Sequence, residues 1–405
     1  MLGGSLSQLT RCFFDATACT SEDQAAACAH LATANRRRGR QVDVRYVRPS
    51  GAGRRSAIVD ESRQRILHAR QPTTGPVTME IGQPPFVSIV TPVFNGERHL
   101  CECIDSVRAQ TYPHWDHTIV DNCSTDRTLE IAQKYAAADS RIRVQSNETF
   151  VQVIANYNIA VRQISPGATY CKVLAADDWL FPECLEKMVR LAEANPTVVI
   201  VGSYGLGSMG NVRCQGLPYP STRVSGRDVC RRLLMGGPHV FGSPTSVLYR
   251  ASILRTRSEF FNESNLHADT EACLEFLQHA DFGFVHQILH YRRAHEDSLS
   301  AYSRRTNTYL PDKLRRLDSY GRKYLTDAEM ARATRQCLRD YYCYLGNQFF
   351  RSRGREFWNY HSDTLAAIGH PLSTPRLLRA AIATAAKLVL DPSRALPAAA
   401  RRIHR

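Results

Sequence analysis

The chain has 405 residues, 43% of them hydrophobic, enough for a sizeable core and for two or three domains of ordinary size. Its formal charge of +14 at pH 7 favours polyanionic partners such as nucleoside diphosphates, anionic lipid surfaces or nucleic acid, and charge does not choose among them. Thirteen cysteines, an odd number with no CxxC pair, argue against a zinc site or a disulfide scaffold and for a reducing, cytoplasmic setting.

Residues 1–83 contain twelve Arg and no Lys, with a cluster at Arg36, Arg37, Arg38 and Arg40, and show no sustained period of 3.6 or 2. Two readings stand for them: a flexible basic arm, or a segment upstream of a true start at Met79. The first residues lack the basic-then-apolar order of a secretory signal, and no run of about 18 apolar residues suggests a membrane span.

From Phe86 strand and helix patterns alternate. A strand from Phe86 to Thr91 leads to a helix with Leu100, Cys103, Ile104 and Val107 on one face, and a strand from Thr118 to Val120 leads to a helix bearing Leu129, Ala132 and Ala136. A short strand at Ile142–Val144 precedes a helix around Val151–Val161. The strand Tyr170–Ala175 ends in two acids, after which Pro182 opens a helix that stops at Asn195-Pro196. This βα order predicts an α/β fold, its sheet mostly parallel and covered on both faces. Gly205-Leu-Gly-Ser-Met-Gly210 matches GxGxxG formally, yet no helix signal follows and Pro218 and Pro220 do, so a hairpin turn is expected. A helix is expected from Ala272 to His279. Beyond Ser300 the chain reads as helical and basic. Its last helix, near Ser373–Leu390, fits two readings, one lying on an anionic membrane surface and the other packed on the protein.

Open α/β sheets bind ligands at the carboxyl ends of their strands. Three apolar strands here end abruptly in polar residues: Thr91-Pro-Val-Phe-Asn95, Val120-Asp-Asn-Cys-Ser-Thr-Asp126 and Ala175-Ala-Asp-Asp-Trp179. The adjacent carboxylates of Asp177 and Asp178 repel each other unless a cation intervenes, and oxygen ligands at an open edge suit Mg or Mn bridging to phosphate. A nucleoside diphosphate held through a divalent metal is the expected guest.

Together with His267-Ala-Asp-Thr-Glu271 and Tyr291-Arg-Arg-Ala-His295, these ordered motifs resemble those of the family 2 glycosyltransferases over about Phe86–Ser300. The resemblance implies a GT-A fold with a Rossmann-like sheet, a catalytic domain at 84–300 and a helical basic extension at 301–405. It also implies inverting transfer of a sugar from a nucleotide donor, expected to be a UDP-sugar, to a glycan or lipid-linked acceptor in surface polysaccharide assembly. By the same resemblance Thr91, Pro92, Phe94 and Asn95 form the first nucleotide loop, Asp121 and Asn122 read base and ribose, and Asn158 belongs to a nucleotide-binding Ala-Arg-Asn position. In that last motif Tyr157 replaces the Arg. Asp177 and Asp178 take the metal role, with Ala175 in place of the family's first acid. His295 is a further metal or diphosphate ligand, and Asp269, preferred over Glu271, is the base. A bland alternative exists at several positions: Asp121 as a helix cap, the acid pair as turn residues, His295 as structural. Ala175 and Tyr157 motivate a rival reading, a non-catalytic relative that binds nucleotide-sugar or glycan. A nucleic-acid-binding protein is the second rival. Its Arg clusters sit at the chain ends without interleaved aromatics, so no specific nucleic-acid partner is expected.

Overall fold

The computed structural model describes residues 83–390, Asp297 and Ser352 excepted. The basic segment 1–82 lies outside the described residues, and with it both readings of that segment.

β1 (Val87–Val93) is buried at every position, as a strand covered on both faces must be. α1 (Leu100–Arg108) buries Leu100, Cys103, Ile104 and Val107, the stripe its spacing predicts. β2 (Trp115–Asp121) begins earlier than hydropathy suggests, because its polar residues find buried partners. Ser88 Oγ donates to Asp116 Oδ1 at 2.5 Å, and Thr91 Oγ1 lies 2.8 Å from His117 Nε2. There follow α2 (Thr128–Ala138), β3 (Ile142–Ser146), α3 (Val153–Arg162), β4 (Tyr170–Val173), the short β5 (Trp179–Leu180), α4 (Cys184–Glu193) and β6 (Val198–Gly207). β7 (Val212–Arg213) folds back on β6 with Leu206 opposite Val212, so the glycine run is a hairpin, and Gly210 takes the positive φ of +73° that the turn needs. After β8 (Arg223–Ser225) come α5 (Gly226–Leu234), β9 (Val247–Arg250), α6 (Ala251–Leu254), α7 (Ala268–Phe276) and β10 (Asp281–Arg292).

The sheet order is β3-β2-β1-β4-β9-β6-β10-β5, with β7 and β8 paired to β6 and β10. The ladders β3-β2-β1-β4 and β6-β10 are parallel, while β9 runs antiparallel to both β4 and β6. The fold is therefore α/β with a largely parallel but mixed sheet. The reversal positions the site: a strand entering from the opposite end brings its own start, the turn Pro244–Ser246, to the edge where β1, β2, β4 and β10 finish. Lys172 locks this junction. It is fully buried between β4 and β9, and its Nζ donates to the carbonyls of Thr245 and Val247 at 2.7 and 3.1 Å. Burial lowers its pKa, since the charged form is costly away from water.

The remaining described chain is helical: α8 (Leu299–Thr306), α9 (Tyr309–Tyr324), α10 (Asp327–Phe349), α11 (Arg355–Ala367) and α12 (Thr374–Leu390). α10 opens with a reciprocal capping box between Thr326 and Glu329. α12 lies along α10. A Cβ on Gly346 would stand 2.7 Å from the Ala380 carbonyl carbon, Ser373 N–H donates to Tyr342 Oη at 2.8 Å, and Thr384 Oγ1 donates to Asn347 Oδ1 at 3.1 Å. One face of the last helix is thus packed on the protein, and the other leaves Leu378 and Ile382 more than half exposed, at 56% and 61%.

Candidate active site

A cleft of about 880 Å³ opens along the sheet edge just described. That is near the upper end of small-molecule sites, roughly 300–1,000 Å³.

One side is built by the loops after β1 and β2. Asn95 adopts a left-handed φ of 50°, and its Oδ1 accepts from Thr125 N–H at 2.8 Å while its own N–H donates to Ser124 Oγ at 2.9 Å, so the two loops are stapled together. Phe94 is half exposed and meets Phe150 edge to face with ring centroids 5.0 Å apart. Pro92, Phe94 and Asn95 line the cleft. Asp121 is buried at the end of β2; its Oδ2 accepts from Ser124 N–H at 3.2 Å, and its Oδ1 has no partner among the described residues. Such an orphaned acceptor calls for a donor from elsewhere.

Three residues assigned from sequence to the nucleotide are committed otherwise. Thr91 sits under the sheet, bonded to His117, because strand alternation turns it toward α1 and away from the cleft. Asn158 is buried and spends its amide on the loop after α6, donating to Phe261 O at 2.8 Å and Glu263 Oε1 at 3.0 Å and accepting from Phe261 N–H at 2.8 Å. Asn122 does line the cleft, but its amide holds the loop before α3, donating to Val151 O at 2.8 Å and accepting from Val151 N–H at 3.0 Å.

The acidic turn after β4 divides its labour. Asp178 is buried; its Oδ2 accepts from Thr245 Oγ1 at 2.7 Å and its Oδ1 from Arg293 N–H at 2.9 Å, so both oxygens are used to tie the turn to β9 and to the end of β10. Burial, then the charge of Asp177, pushes its pKa up to about 7. Held in this way, Asp178 orients the turn. Asp177 is half-buried and its Oδ2 stands 3.0 Å from His295 Nε2. Arg293 braces the pair, its Nε donating to Asp177 O at 3.1 Å and its guanidinium bonding Glu102. The described residues include no cluster of three or more His, Cys, Asp or Glu poised around an ion. The oxygen and imidazole donors of Asp177 and His295 suit Mg or Mn.

On the other side lies Asp269. The helix carrying it starts at Ala268, four residues before the expected Ala272, so Asp269 stands in its first turn, where the helix dipole favours a carboxylate. Its Oδ1 accepts from Thr270 N–H at 2.7 Å. It lines the cleft, and burial raises its pKa against the opposing pull of His267. Glu271 is a structural acid, accepting from Asn265 Nδ2 at 2.7 Å, Asn262 Nδ2 at 3.2 Å and Tyr320 Oη at 3.3 Å.

Sequence reasoning missed several cleft residues. Arg292 lines the cleft, bonds Ser300 Oγ at 2.5 Å and has no carboxylate within ion-pair distance among the described residues; its charge is felt by both Asp178 and Asp269. It stood beside His295 in a motif in which only the histidine was singled out. Tyr309, Asp312, Lys313 and Arg316 of α9 also line the cleft, so a catalytic unit ending at residue 300 omits one of its walls. The physical reason is that β10 ends at the rim and the helices after it continue over the opening.

A model described as Glycosyl transferase family 2 matches residues 88–257. EpsE of Bacillus subtilis (strain 168), a glycosyltransferase by name, is 30% identical over 236 residues, which is 56% of this chain and 79% of that protein. TuaG of the same organism, named for teichuronic acid biosynthesis, is 35% identical over 106 residues, 26% of this chain and 41% of that protein. Residues 1–349 of S. aureus TarS, solved in complex with UDP-GlcNAc, superpose with a TM-score of 0.53 at 18% identity, covering 70% of this chain and 80% of that one, a likeness of GT-A fold. With its polar strand ends gathered on one cleft and EpsE, at 30% identity, covered over 79% of its length, the chain belongs to glycosyl transferase family 2 and is a glycosyltransferase.

Proposed function

We propose that the protein transfers a sugar from a nucleoside diphosphate sugar of the UDP class, with inversion, onto a hydroxyl of a glycan or lipid-linked acceptor during assembly of a surface polysaccharide. The observation that carries this reading is that the Asp177–His295 pair and the raised-pKa Asp269 open on one cleft, which Arg292 also lines. The names of EpsE and TuaG support the setting, and UDP-GlcNAc in TarS supports the donor class.

In this reading Phe94, Pro92 and Asn95 seat the nucleoside, and the orphaned Asp121 Oδ1 accepts from its base or ribose. Asp177 and His295 would hold Mn or Mg, which when bound supplies positive charge to the departing diphosphate. Asp178 fixes the turn, and Arg292 adds charge-assisted donors beside the bond that breaks. Asp269 takes the acceptor's proton; a pKa raised toward working pH strengthens it as a base, worth about 10²- to 10⁴-fold when well placed. One base and one held leaving group suffice for a single in-line displacement, hence inversion. The catalytic unit then runs from about residue 84 through α9.

No helix among the described residues is long and apolar enough to cross a membrane. The exposed stripe Leu378, Ile382 and Leu390 on α12, beside Arg376, Arg379 and Lys387, fits an anionic membrane surface from the cytoplasmic side.

Nucleotide release from a panel of UDP- and GDP-sugars, with Mn or Mg, tests the reading. Asp177→Asn should abolish turnover and metal-dependent UDP binding while the protein stays folded. Unchanged UDP affinity in manganese, measured calorimetrically, would contradict the assignment, and nucleotide binding without release from any donor would favour the non-catalytic rival.

A further inference from the structure

Beyond Asp269 the cleft does not end in neutral surface. α9 presents Lys313 and Arg316 to it, and the β6–β7 hairpin presents Arg213. Lys313 Nζ lies 3.5 Å from where a Cβ on Gly236 would stand, against a backbone turn with φ of +88° at that glycine. No carboxylate comes within ion-pair distance of Lys313 among the described residues. Arg316 Nε pairs with Asp312 Oδ2 at 2.9 Å, yet Arg316 Nη1 and Arg213 Nε are buried donors without partners. On α9 a buried guanidinium donor without a partner and an ammonium without a carboxylate are costly, and Asp312, whose Oδ1 also has no partner, offsets them only in part.

The donor's diphosphate is not that anion. The acidic turn that would anchor it is held by Arg293 and His295, whereas Arg316 pairs with Asp312 on α9. α9 stands next to the helix that carries Asp269, with His267 Nε2 2.8 Å from Thr308 Oγ1, so an acceptor whose hydroxyl reaches Asp269 passes α9.

Resting on the transferase reading above, we propose that the α9 wall is a subsite for a negatively charged group, a carboxylate or a phosphate, carried by the acceptor next to the hydroxyl that Asp269 deprotonates. Lys313 is its part-buried contact, and Arg316, one turn further along α9, completes it. The acceptor is therefore an anionic glycan or phosphorylated carrier, not a neutral sugar chain.

The test is a set of calorimetric titrations of the full chain with methyl β-D-glucuronide, glucose 6-phosphate and methyl β-D-glucoside, run with and without UDP and Mn. At least one charged probe should bind about tenfold tighter than the neutral one, the gain of a charge-assisted contact. Which of the two binds tighter distinguishes carboxylate from phosphate. Lys313→Met should erase the preference and Lys313→Arg should keep it, while Arg332→Met, on the exposed face of α10, controls for net charge. Equal affinity for charged and neutral probes, or a preference that survives Lys313→Met, overturns the proposal. The UDP titration alone judges the donor reading, and the probe comparison made without nucleotide stands apart from it.

Discussion

Replacing Thr245 by Val removes one hydroxyl and leaves the volume nearly unchanged, but that hydroxyl makes two bonds in a fully buried place. Thr245 Oγ1 donates to Asp178 Oδ2 at 2.7 Å and accepts from Ala175 N–H at 3.2 Å. A hydrogen bond to a charged group contributes roughly 1.5–3 kcal/mol, and an orphaned buried peptide N–H costs about 1–3 kcal/mol. Allowing for relaxation, the substitution should cost about 3 kcal/mol. With a urea slope of about 3 kcal/mol per M, the unfolding midpoint should fall by about 1 M. The same change frees the acidic turn from β9, so metal-dependent UDP release should fall together with stability. Thr245→Ser, which restores the hydroxyl, should recover most of both. Urea unfolding followed by tryptophan fluorescence, beside the release assay, reads the two effects. A Val variant with the wild-type midpoint and wild-type release would show that Asp178 is not held in the way described.

Asp269→Asn should keep donor binding and lose transfer by at least about a hundredfold, while Glu271→Gln, which loosens Asn262, Asn265 and Tyr320, should lower stability far more than rate; the reverse pattern in single-turnover assays would move the base to Glu271. In the role proposed for it Asp269 works ionised, and burial raises its pKa, so kcat/KM should decline on the acid side at a pH above the ordinary carboxylate range near 4, and an acid limb at or below that value would refute the role. His117 and His290, held down to about 3, and His361, held down to about 4, are buried neutral. Their folded pKa values lie below the unfolded value, so stability is full above about pH 6.5 and lost as pH falls, with His361 alone costing about 2 kcal/mol by pH 5; equal urea midpoints at pH 7.5 and 5 would sink this. A chain ending at residue 300 should lose transfer, because the α9 wall goes with it, whereas one ending at His370 should still release nucleotide but bind anionic vesicles less, by about 1 kcal/mol per basic residue removed near the surface; sedimentation with vesicles and the release assay decide both.

Sequence made the alternation of β1 to α4 legible because those elements bury periodic stripes, and Leu100, Cys103, Ile104 and Val107 lie where their spacing puts them. It made the strand ends legible because Phe94, Asn95 and Asp177 break apolar runs at the carboxyl edge. It could not show that Asp178 is spent on Thr245 and Arg293, 67 and 115 residues away, since nothing local marks those partners. Thr91 shares a motif with Pro92 and Asn95, yet the strand pleat turns it to the opposite face. Asn158 illustrates the same limit in a helix: its type suits a ligand, but register hands it to the Phe261 backbone. The antiparallel course of β9 has no signature in a four-residue apolar strand, and it is this course that brings Thr245 to the site.

Much of the cleft lining comes from two separate stretches of chain, the strand ends up to Asp178 and the helices α7 to α9, with β10 between them in sequence. Substitutions along the outer turns of α9 leave the sheet register and the Asp177–His295 pair untouched, so the two specificities can drift apart at different rates. If the function proposed above holds, a duplicated copy could keep its donor and take up a new acceptor through a few changes on one helix.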